Sequence, residues 1–249
     1  ITPVTNPIAT IASNAIGMIA AGNAVVFNVH PGAKGVSCRL VALLNGAIAA
    51  AGGPRNLLAT VAEPTIESAG ELMRHPGIAL LVVTGGPGVV KAAMVSGKKA
   101  ICAGPGNPPC VVDETADLAR AGRSIVEGAG FDHNVVCICE KEILAVASVA
   151  DRLKSEMAAH GAVELFGRQA EAVVKTALAD PGGPGRPGSP NKDFVGRSAQ
   201  AIARAAGVEV PAGTRLLLLE VGRDHPLVWA EQLMPVIPLV RMPDADAAI

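Results

Sequence analysis

Short apolar runs alternate with longer helical patterns through the first part of the chain, and that rhythm narrows the fold more than any other feature. Residues 24–27, 57–61, 78–84 and 100–103 read as strands, and residues 6–21, 37–51, 65–74 and 89–95 read as helices. Asn6-Pro7 supplies a helix start, Ser37 a cap for the second helix, and Gly52-Gly53-Pro54 its stop. The run 78–84 is continuously apolar, the pattern of a strand covered by helices on both faces. This βαβα order predicts a doubly wound α/β unit with a parallel sheet. Ligands bind such sheets beyond the carboxyl ends of the strands, so a site is expected in residues 28–33, 84–88 and 103–109.

A second unit is expected from about Asp113, giving domains 1–112 and 113–249. Helix 116–129 leads through residues 131–142 to strand 143–146 and helix 148–160. Helix 198–206 and strands 216–220 and 236–240 follow. Residues 180–190, DPGGPGRPGSP, are too rich in Gly and Pro for regular structure and read as a flexible loop. There is no internal repeat. Aromatic residues make up 2% of the chain, so the core must come from Ala, Val, Ile and Leu.

A net charge of −1 leaves no Lys/Arg excess for a nucleic-acid groove. No apolar run approaches the ~18 residues that span a bilayer, and the N-terminus lacks a secretory pattern. Neither nucleic acid nor membrane is expected as a partner. Five cysteines, at 38, 102, 110, 137 and 139, include no C-x-x-C. That argues against a disulfide framework or zinc ribbon and suits a reducing cytosol. The chain opens on Ile1 and stops inside the apolar, helix-like run 244–249, which reads as a piece of a longer protein.

Three motifs have both a chemical and a bland reading. Gly183, Gly185 and Gly188 match G-x-G-x-x-G, but neither a strand before them nor a helix after them is expected, and the dinucleotide mechanism requires both. TGGPGVVK, residues 84–91, ends a strand and opens a helix, as a phosphate-binding loop does; Lys91 at the last glycine position breaks the full fingerprint and leaves a plain βα turn open. Cys137 and Cys139 are either small hydrophobes on one face of a strand or a reactive thiol pair. Their polar neighbours, Asp132, His133, Asn134, Glu140, Lys141 and Glu142, favour a partly open setting where a thiolate can form. Two Cys and one His do not close a metal site, so no metal is expected. His75 and His160 fall at helix ends, as surface or capping residues; His30 directly follows a strand.

Six segments in this order resemble the aldehyde dehydrogenase superfamily, and most of all its CoA-acylating acetaldehyde and propionaldehyde dehydrogenases, often found with bacterial microcompartments. They are ITPVTNP, AAGNAVVFNVHPGAK, LLVVTGGPGVVKAA, KKAICAGPGNPP with VVDETADL, GFDHNVVC and EQLMPVIP. The resemblance implies a Rossmann-type parallel-sheet cofactor domain plus a second α/β catalytic domain. It implies Cys137 as nucleophile, with the Asn6 amide and the Cys137 N–H holding the oxyanion. His30 and Pro31 would contact the adenosine half of NAD or NADP, Thr84, Gly85 and Gly86 would border the dinucleotide, and Gly104 would lie near the carboxamide. Glu231 would hold the nicotinamide ribose.

One departure decides the subtype. Hydrolytic members carry a Glu before paired glycines, whereas this chain reads Ala103-Gly104-Pro105-Gly106-Asn107, with Asp113 and Glu114 the nearest acids across a strand-like stretch. Without a positioned base, water attacks a thioester slowly, and coenzyme A becomes the natural acceptor. The alternatives are a hydrolytic or acyl-phosphate-reducing member of the superfamily, or a non-catalytic nucleotide-binding fragment. The resemblance further implies a homo-oligomeric, cytoplasmic parent protein, with a microcompartment interior and shell as candidate setting and partner. The family is about twice as long as this chain, and the sequence leaves the aldehyde and the choice of NAD or NADP open.

Overall fold

Helices and strands alternate along residues 1–105 much as their periodicities require. The computed structural model describes residues 1–249, which divide into two units, Ile1–Pro105 and Gly106–Ile249. The first contains α1 (Pro7–Ala20), β1 (Val25–Phe27), α2 (Lys34–Ala50), β2 (Leu58–Thr60), α3 (Ile66–Arg74), β3 (Leu80–Thr84), α4 (Pro87–Met94) and β4 (Lys99–Ala103). β1 pairs parallel with β2, and β3 parallel with β4. Ile1 and Thr2 tie the pairs together. The Ile1 nitrogen donates to Val82 O at 2.7 Å, the Thr84 N–H donates to Ile1 O at 3.1 Å, and the Thr2 N–H donates to Asn28 O at 3.3 Å. Ile11 and Ala15 of α1 and Val41 of α2 bury against Val25, Phe27 and Leu58.

Two expectations for this unit are corrected. Ser37 caps nothing: the chain turns helical at Pro31–Ala33, capped by His30, so Ser37 lies buried inside α2. The helical stretch Pro31–Ala50 has 20 residues and a mean hydropathy of 1.2, so by length and composition it could cross a bilayer. Lys34 and Arg39 interrupt its apolar runs, which is why no single run showed it. In this fold Leu40, Val41, Leu44 and Ile48 join the core beside α1 and β1.

The second unit contains β5 (Pro109–Val112), α5 (Leu118–Ala129), β6 (Glu142–Val146), α6 (Ala147–Ala159), β7 (Ala162–Glu164), α7 (Gly167–Ala177), β8 (Leu178–Asp180), β9 (Ser189–Pro190), α8 (Ala199–Ala205), β10 (Leu216–Val221), β11 (Val236–Met242) and α9 (Ala245–Ala248). Five parallel strands form one sheet in the order β5-β6-β11-β10-β7. The run Leu216 to Leu219 explains why both faces are covered. Successive side chains of a strand point to opposite faces. Leu216 and Leu218 enter the core with Ile125, Leu153 and Met157 of α5 and α6, while Leu217 and Leu219 enter the core with Val173 and Ile202 of α7 and α8. Burying each leucine contributes about 2 kcal/mol.

The units divide ahead of the expected residue 112, because β5 pairs with β6 and so belongs to the second sheet. Residues 180–190 are not a free loop. Their ends form the antiparallel pair β8–β9, and Arg186 forks onto Asp180 at 2.6 and 2.9 Å. Gly182 and two glycines of the G-x-G-x-x-G match, Gly183 and Gly185, make this tight hairpin, with φ of 65°, 150° and 73°. No helix opens from them, as the sequence reading against a dinucleotide fingerprint expected.

Candidate active site

The strands of the first unit deliver a set of loops at their carboxyl ends. His30 follows β1, and its Nδ1 accepts the Gly32 N–H at 3.1 Å while starting the turn at Pro31. Thr84 ends β3; Gly85 donates its N–H to Ala103 O at 3.1 Å, and Gly86 is the N-cap of α4. Gly86 offers no side chain to that helix start, and open space surrounds the place a Cβ would take there and at Gly104. Glycine surfaces beside a helix start with spare N–H groups fit a cofactor pyrophosphate. Asn6 caps α1 by position only. Its carbonyl accepts from the Thr10 N–H and hydroxyl at 3.3 and 2.6 Å, but its side-chain amide makes no cap bond. That amide is left for another partner.

In the second unit the neighbouring strands β5, β6 and β11 are entered by loops that hold Gly106, Cys137 and Glu231. These sit at the amino ends of the strands, the edge opposite to the one the strand-end rule searches. Asp132, His133 and Asn134 have φ of 45°, 53° and 59°, three successive left-handed residues without a glycine. Each costs on the order of 1 kcal/mol, so the surrounding structure must hold the turn. Asn134, 2% exposed, donates from Nδ2 to Ala129 O at 2.7 Å and Glu140 O at 3.0 Å. Lys141, fully buried, donates from Nζ to Asn134 O at 2.8 Å, to Val136 O at 3.2 Å and to Asn134 Oδ1. Burial pulls the Lys141 ammonium below its ordinary range, opposed by the Glu231 carboxylate, Cys139, Cys137 and Glu140.

The two cysteines beyond this turn are not equivalent. The Cys139 N–H donates to Val136 O at 3.2 Å, so the pair lies on a turn and not on a strand face. Cys139 is 6% exposed, and burial pushes its thiol up, away from the reactive form. Cys137 is half-buried. Gly106 packs against its backbone: a Cβ there would stand 2.8 Å from the Cys137 carbonyl oxygen. Burial raises the Glu231 carboxylate above the usual range, against the pull of the Gly106 N–H and Lys141.

Two further polar groups sit beside them. Glu142 is 8% exposed, and burial raises its carboxyl to about 7 even though Asn107 Nδ2 donates to it at 2.5 Å. Asn107 also donates to Val228 O at 2.8 Å, leaving its Oδ1 buried without a partner. Asp113 and Glu114 follow β5 and lie at the other end of that strand, roughly 13 Å away at ~3.3 Å per residue. Both are engaged: Asp113 accepts from Thr115 at 2.9 and 2.7 Å, and Glu114 from Ser148 at 2.9 Å.

The sequence profile of the aldehyde dehydrogenase family matches residues 1–249. The chain belongs to this family. The acetylating acetaldehyde dehydrogenase of Bilophila wadsworthia is 54% identical over 256 residues, covering 100% of this chain and 52% of that protein. The Rhodopseudomonas palustris propionaldehyde dehydrogenase, solved with bound CoA and an acylated cysteine, superposes with a TM-score of 0.89 at 46% identity, covering 99% of this chain and 55% of that one. A propionaldehyde dehydrogenase from the fucose-utilisation bacterial microcompartment of Clostridium phytofermentans gives 0.90 at 41% identity, covering 99% and 55%. The chain spans about half the length of the curated relatives it matches.

For an aldehyde dehydrogenase chain, the expected residues fall into two groups. Asn6, His30, Pro31, Thr84, Gly85, Gly86 and Gly104 are in the first unit; Cys137 and Glu231 are in the second, with Gly106 against the Cys137 carbonyl. Sequence reasoning gave Gly106 and Asn107 no role of their own within the expected segment 103–109, and treated Asn134, Lys141 and Glu142 only as polar surroundings. The signal for Gly106 was the glycine left over after Gly104. For Lys141 there was none, because a lysine between two glutamates reads as surface.

Proposed function

We propose that this chain is the cofactor-binding and nucleophile-bearing part of a CoA-acylating aldehyde dehydrogenase, with unit 1 as the NAD(P)-binding domain and unit 2 as part of the catalytic domain. The observation that carries the reading is the difference between the two thiols, Cys137 half-buried on a braced left-handed turn and Cys139 sealed beneath it. Cys137 attacks the aldehyde carbonyl as the thiolate. Its own N–H and the free amide of Asn6 stabilise the oxyanion, and losing such a donor costs about 3 kcal/mol of barrier. Thr84, Gly85, Gly86 and Gly104, with His30 and Pro31, hold NAD or NADP, and Glu231 holds its nicotinamide ribose. That cofactor, when bound, would supply the acceptor for the hydride that leaves the aldehyde carbon. An acyl thioester remains on Cys137. The CoA thiolate then forms the new carbon–sulfur bond as the bond to Cys137 breaks.

Release to CoA is favoured over hydrolysis because the segment from Ala103 to Asn107 lacks an acid, and Asp113 and Glu114 are engaged elsewhere. Short-chain aldehydes are the substrate class, in line with the acetaldehyde and propionaldehyde relatives. The whole protein is a cytoplasmic homo-oligomer working with a microcompartment, the setting from which the Clostridium relative comes. In the full-length enzyme, Cys137→Ala abolishes aldehyde-dependent NADH formation, and Cys139→Ala keeps most of it. Equal effects of the two changes, or NADH formation at full rate and many turnovers without CoA, overturn the reading.

A further inference from the structure

Lys141 is a side chain that the mechanism above does not use, and its setting is unusual. It follows the nucleophile by four residues, between two glutamates, yet it is fully buried. An ammonium has three N–H donors and no acceptor. All three have oxygen partners, and these are the main-chain carbonyls of Asn134 and Val136 and the side-chain oxygen of Asn134. They belong to the turn immediately before Cys137. An unpaired buried ammonium would cost several kcal/mol, so evolution of a surface-type residue into this place calls for a compensating use.

That use follows from the backbone. Asp132, His133 and Asn134 are left-handed in succession, and an isolated chain would relax such a turn. The Asn134 amide holds it from one side, through Ala129 O and Glu140 O. Lys141 gathers the carbonyls on the other side and reaches Val136, the residue next to the nucleophile. We propose that Lys141 is a positioning residue, which clamps the 134–136 carbonyls and so fixes the Cys137 sulfur for attack. The groups facing its ammonium are Glu231, Cys139, Cys137 and Glu140. Gly106 also packs against the Cys137 carbonyl, so both backbone neighbours of the sulfur are held. The proposal rests on Cys137 being the nucleophile.

The test uses the full-length enzyme and three variants: Lys141→Met, which fills the space without donors, Lys141→Gln, which keeps two donors, and Cys137→Ala. Single-turnover acylation is measured per folded molecule, together with KM for the aldehyde and the melting temperature. Positioning predicts a graded loss of the acylation rate, about 100-fold for Met and about 10-fold for Gln. KM should stay within about threefold, since a misplaced sulfur slows attack without changing how substrate is held. Acylation at the wild-type rate by folded molecules of either variant overturns the proposal. Loss of the fold in both variants also overturns it, by making Lys141 a stability residue. The control separates this from the parent reading. Should Cys137→Ala still acylate, it is the nucleophile assignment that fails.

Discussion

Gly106→Ala puts one methyl group against the backbone of Cys137. The added Cβ would stand 2.8 Å from the Cys137 carbonyl oxygen, and 3.7 and 3.8 Å from its carbonyl carbon and Cβ. A carbon and an oxygen rarely approach closer than about 3.2 Å, so one backbone must retreat by roughly 0.4 Å. Neither moves freely. Asn107, next to Gly106, is bonded to Glu142 and Val228 O, and the Cys137 turn is held through Asn134 and Lys141. Gly106 does not have a positive φ, so alanine meets the clash without backbone strain of its own. Overpacking of this kind costs about 1–3 kcal/mol of stability. A displacement of several tenths of an ångström at the sulfur should slow acylation by between about 10- and 100-fold. The assay is kcat for aldehyde-dependent NADH formation in the full-length enzyme, with the melting temperature measured alongside. Gly46→Ala serves as the control: that glycine lies in α2, nothing comes within 4 Å of its added Cβ, and the change should stabilise by about 0.5–1 kcal/mol without altering kcat. Wild-type kcat and an unchanged melting temperature in Gly106→Ala would refute the packing argument.

Glu142 should make stability fall as pH rises. Its carboxyl sits at about 7 in the fold against an ordinary 4.5, so the folded state binds the extra proton between these values. The stability this lends is fully present below pH 4.5 and is lost as pH passes 7, on the order of 3 kcal/mol in all; Glu142→Gln should flatten that part of a melting-temperature profile, and an unchanged slope would contradict it. Leu217→Ala and Leu218→Ala, which open cavities on opposite faces of the same sheet, should each cost about 2–5 kcal/mol in denaturant unfolding. A cost below 1 kcal/mol at either would mean that face is not tightly packed.

Elements with a strong period were legible in the sequence. The stretch 65–74 became α3 because apolar spacing reports which face is buried; the continuously apolar run 78–84 became β3, but only Leu81 and Val83 are buried while Leu80 is exposed, so its two faces are not both covered as expected. β7, at three residues, and α7, entered through Gly167 with φ of 49°, were not read, since one is too short to carry a period and the other has no capping side chain. Cys137 stood out by its polar neighbours and its motif. What could not be read is how those neighbours divide their work. Lys141 and Glu142 adjoin in sequence and look alike as solvated charge. Only folding reveals that one donates to the turn before Cys137 and the other is buried against Asn107. Gly106 likewise matters through a contact 31 residues away in the chain, at Cys137, which no local pattern records.

The central claim is covalent chemistry at one sulfur, and intact-mass analysis reads it directly. Full-length enzyme incubated with a short-chain aldehyde and NAD+, without CoA, should gain one acyl mass per chain, mapped by peptide digestion to Cys137. Adding CoA should discharge it as acyl-CoA, far faster than buffer alone does. An unmodified Cys137, an adduct on Cys139, or discharge in buffer as fast as with CoA would contradict the account.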